Sequence, residues 1–306
     1  MKFFITGGAG FIGSSLTNYL LEKGEKVTIF DNLSNCSDNK LSTLKEKGVK
    51  LIEGDIANYN SLAKALTGSD IVIHLAAKIN VQESIENPKE TINVNVNGTI
   101  NLLRACVENK IKKIIAVSSA AVFGTLKEFP LSENSILSPI SPYGESKLAM
   151  EQRIREFSNK YGVNCITLRF FNVYGLGQSD PYAGVITKFL KNITQNKPLV
   201  IFGDGSLTRD FIHIDDVLEA INKAIEKIEG KRGDCYNIAT GKAVSIKELA
   251  ELMLSISGKK LEIKFKPPKK GDIPHSKANI DLAKKELDFH PKISLKEGLK
   301  KLLKSN

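Results

Sequence analysis

Short apolar runs alternate with stretches of helical spacing along the first half of the chain. Lys2 to Thr6 reads as a short buried strand. After the glycines at 7, 8 and 10, apolar residues at Phe11, Ile12, Leu16, Leu20 and Leu21 predict a helix over 11–22. Gly24 suits a helix stop, and the β-branched run Lys26 to Phe30 predicts a second strand. The cycle repeats, with strands at Val49 to Glu53, Ile71 to Leu75, Ile114 to Ser118 and Asn164 to Phe170. Between them lie predicted helices at Ser61 to Leu66, Thr91 to Asn109 and Tyr143 to Tyr161. Such alternation implies right-handed crossovers and a parallel sheet covered on both faces, an α/β, Rossmann-type doubly wound fold. Ligands bind such sheets outside the carboxyl ends of the strands.

The rhythm breaks after about residue 175. Gly, Pro and Asp thicken over 175–184 and 266–274, and three more helices are predicted, Gly184 to Thr194, Asp215 to Ile228 and Ile246 to Ser255. The expected organisation is a dinucleotide-binding Rossmann domain over 1–175. A smaller C-terminal substrate-binding lobe follows over 176–306, interleaved with the last strands of the sheet.

Composition narrows the function. The formal net charge is +10, yet the lysines are scattered, and the densest run, Lys259 to Lys270, holds one aromatic, Phe265. A base-stacking platform needs repeated aromatics, so the charge suits anionic small molecules and not nucleic acid. Cys36, Cys106, Cys165 and Cys235 form no C-x-x-C pair and no metal-ligand spacing with histidine, which suits a reduced, cytoplasmic protein with no metal. The opening Met1 to Ile5 is too short for a signal-peptide core, and no apolar run reaches the roughly 20 residues that span a bilayer.

Gly7, Gly10 and Gly13 give G-x-x-G-x-x-G between strand and helix. Backbone can approach a pyrophosphate closely there, and the helix start at Phe11 and Ile12 offers N–H groups and a positive dipole end. Asp31 ends the next strand 24 residues after Gly7. A carboxylate there accepts from both ribose hydroxyls and repels a 2′-phosphate, which favours NAD over NADP. Asp55 either faces the adenine or caps the following helix. Leu75, Ala76 and Ala77 leave room for a dinucleotide across the sheet edge.

Tyr143 and Lys147 form Y-x-x-x-K at a helix start, one turn apart on one face. A neighbouring ammonium lowers a phenol from its usual value of about 10, so the pair suits a general base. The Ser118–Ser119 pair ends a strand at the edge where chemistry belongs; its bland reading is a turn or cap.

Together these features resemble the extended short-chain dehydrogenase/reductases, in particular the nucleotide-sugar epimerase and dehydratase family. The resemblance runs through T-G-G-A-G-F-I-G at 6–13, N-V-N-G-T at 95–99, S-S-A-A-V-F-G at 118–124 and S-P-Y-G-E-S-K at 141–147. It continues through R-F-F-N-V-Y-G at 169–175 and R-D-F-I-H-I-D-D at 209–216, and so covers nearly the whole chain. It implies that Tyr143 is the base, that Lys147 holds the nicotinamide ribose, and that Ser119 positions a sugar hydroxyl. Asn32, Ile56, Asn95 and Phe171 join the implied NAD-binding set. Sugar dehydratases of the family look like Ser/Thr followed by an Asp-Glu pair where this chain has Ala120 and Ala121, so the resemblance implies 4-epimerisation of a UDP-hexose. A nucleotide-sugar 4-keto reductase is the alternative, and a non-catalytic NAD-binding or RNA-binding relative the more distant one.

For the substrate, the resemblance implies diphosphate contacts from Arg209 and Asn172, and Val200 and Phe202 beside the base. The bland reading of Arg209 is a salt bridge to Asp210 or Asp215, and His213 reads as a core histidine. Lys269 stands where the family carries a second phosphate-binding arginine, giving charge without the planar fork. Ser276 stands where relatives specific for plain hexoses often carry tyrosine, which leaves space for an N-acetyl group and implies that UDP-N-acetylglucosamine is accepted as well as UDP-glucose. The helices around 95–107 and 143–157 resemble those that form a homodimer interface.

Overall fold

The structure, a computed structural model, describes residues 1–126, 128–178, 184–268 and 273–305, without the side chains of 38–40. In chain order its elements begin β1 (Lys2–Thr6), α1 (Phe11–Glu22), β2 (Lys26–Asp31), α2 (Asp38–Glu46), β3 (Lys50–Glu53), α3 (Tyr59–Ala65) and β4 (Ile71–His74). Then come α4 (Val81–Glu86), α5 (Pro88–Ile92), α6 (Gly98–Glu108), β5 (Lys113–Ser119), α7 (Pro142–Tyr161) and β6 (Asn164–Phe170). The second half holds β7 (Asn172–Tyr174), α8 (Val185–Thr194), β8 (Leu199–Phe202), β9 (Thr208–His213), α9 (Ile214–Glu226) and β10 (Arg232–Ile238). It ends with β11 (Ala243–Ser245), α10 (Ile246–Ser257), β12 (Ile263–Lys266), α11 (Asp281–Leu287) and α12 (Leu295–Lys304).

Seven strands form one sheet in the order β10-β6-β5-β4-β1-β2-β3, with every pairing parallel. The strand order reverses between β1 and β4, so a crevice opens beyond their ends, at Thr6 and His74. Alternation along β1 explains why both faces are covered. Phe3 and Ile5 join a core with Leu16 and Leu20 of α1 and Val217 and Ile221 of α9. Phe4 joins the opposite core, with Leu102 of α6 and Met150 and Ile154 of α7.

A third core lies away from the sheet. Phe189 and Leu190 of α8, Leu249 and Met253 of α10, and Leu299 and Leu302 of α12 pack there around β8 and β9. β7, β9 and β11 form a small sheet of their own, and β8 pairs with β12. Residues 232–238 return to the large sheet as β10, against β6.

Two expectations need correction. The single helix predicted over 91–109 is broken: α5 ends at Ile92, Asn93–Asn97 is π-helical, and α6 starts at Gly98. The extra residue in the wide turn lets Asn95 point inward, where it is 1% exposed and fully hydrogen-bonded. Beyond residue 175 the described residues hold five helices where three were predicted. The two additions, α11 and α12, have short lysine-rich sequences, and α12 is fixed by a capping box from Ser294 and Glu297. Among the described residues no helix is long and apolar enough to cross a membrane.

Candidate active site

The glycine turn is shaped by contacts that exclude side chains. Gly7 has φ of +70°, and a Cβ there would lie 2.6 Å from the Ala76 nitrogen. At Gly13 a Cβ would overlap the Gly7 oxygen, so α1 seats directly on the turn. α1 starts after Gly10 with no side-chain cap and no acidic residue in its first turn. Its first N–H groups, from Phe11, Ile12 and Gly13, therefore remain available to an anion. This cradle fits a dinucleotide pyrophosphate.

Asp31 sits at the rim. Its Oδ2 accepts from Ala9 N–H at 2.9 Å and its Oδ1 from Leu33 N–H at 2.8 Å, which ties the glycine turn to the loop after β2. Asp55 does not cap α3; Asn58 does, accepting from Ser61 N–H. Instead, Asp55 accepts from Ala57 N–H and from the Asn32 side chain, which couples two of the residues assigned to cofactor binding. Ile56 is buried, its side chain packed against Gly98 at the start of α6. Leu75, Ala76 and Ala77 follow β4 directly, half-buried against the glycine turn.

Ser119 ends β5 and caps the short turn 120–122, its Oγ accepting from Ala121 N–H at 3.2 Å. The capping role expected of such a serine is real, but the same side chain also lowers the Tyr143 phenol. Tyr143 is the second residue of α7, whose start is set by Ser141 as N-cap and Pro142 at the first helical position. Gly144 lets the helix start approach the 120–122 turn, since a Cβ there would lie 2.6 Å from the Ala121 oxygen. Lys147 follows one turn on and is 4% exposed, its Nζ donating to the Val117 oxygen at 2.8 Å. Ser119, Tyr143 and Lys147 thus converge at the end of β5.

The electrostatics differ from the sequence expectation. Burial pushes the Tyr143 phenol above its usual value, and the Ser119 hydrogen bond pulls it partly back. Burial brings Lys147 down to about 8, against the supporting charge of Glu151. The ammonium donates to the Val117 carbonyl, while burial and Ser119 set the direction of the phenol's shift.

Several groups hold the site in ways the sequence did not show. Ser84 Oγ accepts from Tyr143 N–H at 3.2 Å. Ser146 Oγ donates to the Tyr143 carbonyl at 2.7 Å and accepts from Asn95 Nδ2 at 2.9 Å. Asn95 is thereby a tie between α7 and the backbone of Lys78, both faces of its amide being engaged. One turn beyond Lys147, Glu151 takes a two-pronged ion pair from Arg169 of β6 at 2.9 and 2.7 Å, both side chains buried.

The substrate-side residues are more dispersed. Asn172 is exposed at the start of β7, beside buried Phe171. Val200 and Phe202 lie on β8, and Phe202 is 37% exposed. Arg209 donates to the Thr208 carbonyl at 2.8 Å. Among the described residues, buried Asp210 accepts from Thr240, Gly241 and Ala278, and Asp215 pairs with Lys301. His213 is buried as the N-cap of α9. Ser276 is 7% exposed, its N–H bonded to the Thr208 oxygen. Lys269 lies outside the described residues.

Residues 3–239 match the NAD dependent epimerase/dehydratase family. The chain belongs to that family. Its seven-stranded Rossmann-type sheet recurs in the family's solved structures. The UDP-glucose 4-epimerase of Thermotoga maritima, solved with UDP-glucose, is 35% identical, with a TM-score of 0.93 over 99% of this chain and 98% of that one. The UDP-N-acetylglucosamine 4-epimerase of Methanobrevibacter ruminantium M1, in complex with UDP-N-acetylmuramic acid, is 34% identical, with a TM-score of 0.93 over 99% and 97%. The UDP-glucose 4-epimerase of Mycolicibacterium smegmatis is 34% identical over 311 residues, 98% of this chain and 97% of that protein. As a family member the chain is an NAD-dependent enzyme.

Proposed function

We propose that this enzyme interconverts the C4 epimers of a UDP-hexose, UDP-glucose or UDP-N-acetylglucosamine, by transient oxidation at carbon 4. The carrying observation is the pairing of Ser119 with Tyr143 beside Lys147, followed by Ala120 and Ala121, which offer no acid for eliminating water. The names of the relatives support the same reading.

NAD, when bound, supplies the hydride acceptor and returns the hydride. Gly7, Gly10, Phe11, Ile12 and Gly13 would hold its pyrophosphate; Asp31, Asn32, Asp55, Ile56 and Leu75 to Ala77 would line its adenosine side. Ser119 Oγ orients the C4 hydroxyl, and Tyr143 Oη takes its proton and later gives it back. Lys147, one turn away, is the chain's own positive charge for stabilising the phenolate; such contacts tighten when a site closes on its substrate. Arg209 and Asn172 would hold the diphosphate, with Val200 and Phe202 beside the base. Since each hydride is returned, turnover consumes no cofactor.

The test is incubation of the NAD-loaded protein with UDP-glucose and with UDP-N-acetylglucosamine, followed by separation of the C4 epimers. Equilibration without net NADH is expected. A 4-keto-6-deoxy product, or stoichiometric consumption of NADH, would overturn the reading. We also infer a homodimer through the outer faces of α6 and α7, supported by exposed Val107 and Tyr161. Sedimentation of the intact protein checks it.

A further inference from the structure

Thr6 and His74 are register partners where β1 and β4 end, at the strand-order reversal. Thr6, His74, Thr99 and Asn95 are all buried to within 2% exposure. Their hydrogen bonds assign every proton between them. Thr99 Oγ1 lies 2.6 Å from the Asn95 carbonyl, which can only accept. Thr99 therefore donates there and accepts from His74 Nε2, 2.9 Å away. With its hydrogen on Nε2, the neutral ring accepts at Nδ1, so Thr6 Oγ1 donates to it at 2.7 Å. Thr6 Oγ1 in turn accepts from Ala76 N–H at 3.3 Å, beside the glycine turn. Burial, and secondarily the Lys147 charge, hold the His74 imidazolium down to about 3, so the ring stays neutral throughout the working range.

The chain of bonds continues beyond Thr99. Asn95 Nδ2 donates to Ser146, and Ser146 donates to the Tyr143 carbonyl. One buried run of polar groups thus links the backbone under the glycine turn to the peptide that carries the catalytic phenol. His74 is its central member, donating on one side and accepting on the other. It has no lone pair or hydrogen left for substrate, so it is no acid or base for the reaction.

We propose that His74 is a positioning residue: it fixes the Tyr143 end of α7 against the β1–β4 edge where the dinucleotide would lie. The proposal rests on the epimerase reading for its kinetic readout, and on nothing in that reading for its structural one. An apolar replacement leaves the Thr6 hydrogen and the Thr99 lone pair unmatched in a dry interior, whereas glutamine keeps a donor and an acceptor.

His74→Leu and His74→Gln are compared with wild type in the NAD-loaded protein. The readouts are kcat and KM for UDP-glucose, bound NAD per chain, and amide exchange of peptides covering 141–147. In His74→Leu, kcat is expected to fall about tenfold or more per NAD-loaded site, as small misplacements of reacting groups do. KM should stay within about twofold, since the residue touches no substrate. Exchange over 141–147 should quicken, and His74→Gln should recover most of both losses. Wild-type kcat per loaded site with unchanged exchange in His74→Leu would overturn the proposal. If the leucine variant fails to fold, the glutamine variant decides alone: wild-type kcat and exchange support the proposal, and a loss of kcat as deep as that of Tyr143→Phe overturns it. Absence of turnover in wild type would count against the epimerase reading, and the exchange measurement would still judge His74.

Discussion

Lys147 Nζ donates to the Val117 carbonyl at 2.8 Å while only 4% of the residue meets solvent. An ammonium held this deep is costly to the fold and is kept for its chemistry. Its pKa is about 8 in the native state against 10.5 in an exposed lysine. Below pH 8 both states are protonated and the folded protein carries the whole burial cost. Between about 8 and 10.5 the native state releases the proton while the unfolded chain retains it, so stability rises with pH across that window. Lys147→Met should therefore stabilise the cofactor-free protein at pH 7, by on the order of 2–3 kcal/mol, while abolishing turnover. Urea midpoints at pH 7 and pH 10 check this. The gain should shrink at the higher pH, and a pH-independent difference would refute the account.

Removing the Ser119 hydroxyl should move the alkaline behaviour of the enzyme. The Ser119 hydrogen bond is what lowers the Tyr143 phenol against the effect of burial. Ser119→Ala should leave the phenol higher, so the limb of kcat that rises with pH shifts to higher pH. Tyr143→Phe should lose about 10²-fold or more in kcat at every pH, with UDP-sugar binding retained. An unshifted profile in Ser119→Ala would separate Ser119 from the proton transfer.

Gly7 stands at φ +70° with the Ala76 backbone 2.6 Å from where a Cβ would be. Gly7→Ala should push the turn away from β4 and cost about 1–3 kcal/mol of stability. It should also reduce the NAD retained after gel filtration, because the pyrophosphate cradle is displaced. A variant with full NAD content and an unchanged melting temperature would contradict this.

Glu151 and Arg169 lie on α7 and β6, 4% and 2% exposed. Glu151→Ala leaves the guanidinium buried without its counter-charge and should cost about 3–5 kcal/mol. The double variant Glu151→Met, Arg169→Met should cost less than the single one, since no uncompensated charge remains. Urea unfolding of the three proteins measures both. Equal losses in the single and double variants would show that the pair contributes through packing alone.

Much of the site was legible because its parts are local. The glycine turn, Asp31 at the end of the second strand, and Tyr143 and Lys147 one helical turn apart each occupy a few neighbouring residues. Others were misread or left open where a side chain serves a distant element. Asn95 reads as a helical position in an unbroken run, yet the π-helical turn carries it inward to Lys78 and Ser146. Asp55 reads equally well as cap or ligand, and only the position of Asn58 shows which residue caps α3.

By itself the sequence determined the six strands of the first half, the parallel sheet they form and the place of the crevice. Apolar periodicity and glycine spacing act over a few residues, and chain chirality supplies the rest. Tertiary structure alone decided the protonation and reach of the groups inside. The pKa values of Tyr143 and Lys147 follow from how much water packing removes, and the tautomer of His74 from hydroxyls on other elements. Desolvation and hydrogen-bond matching depend on groups brought together from distant parts of the chain, so no local pattern encodes them.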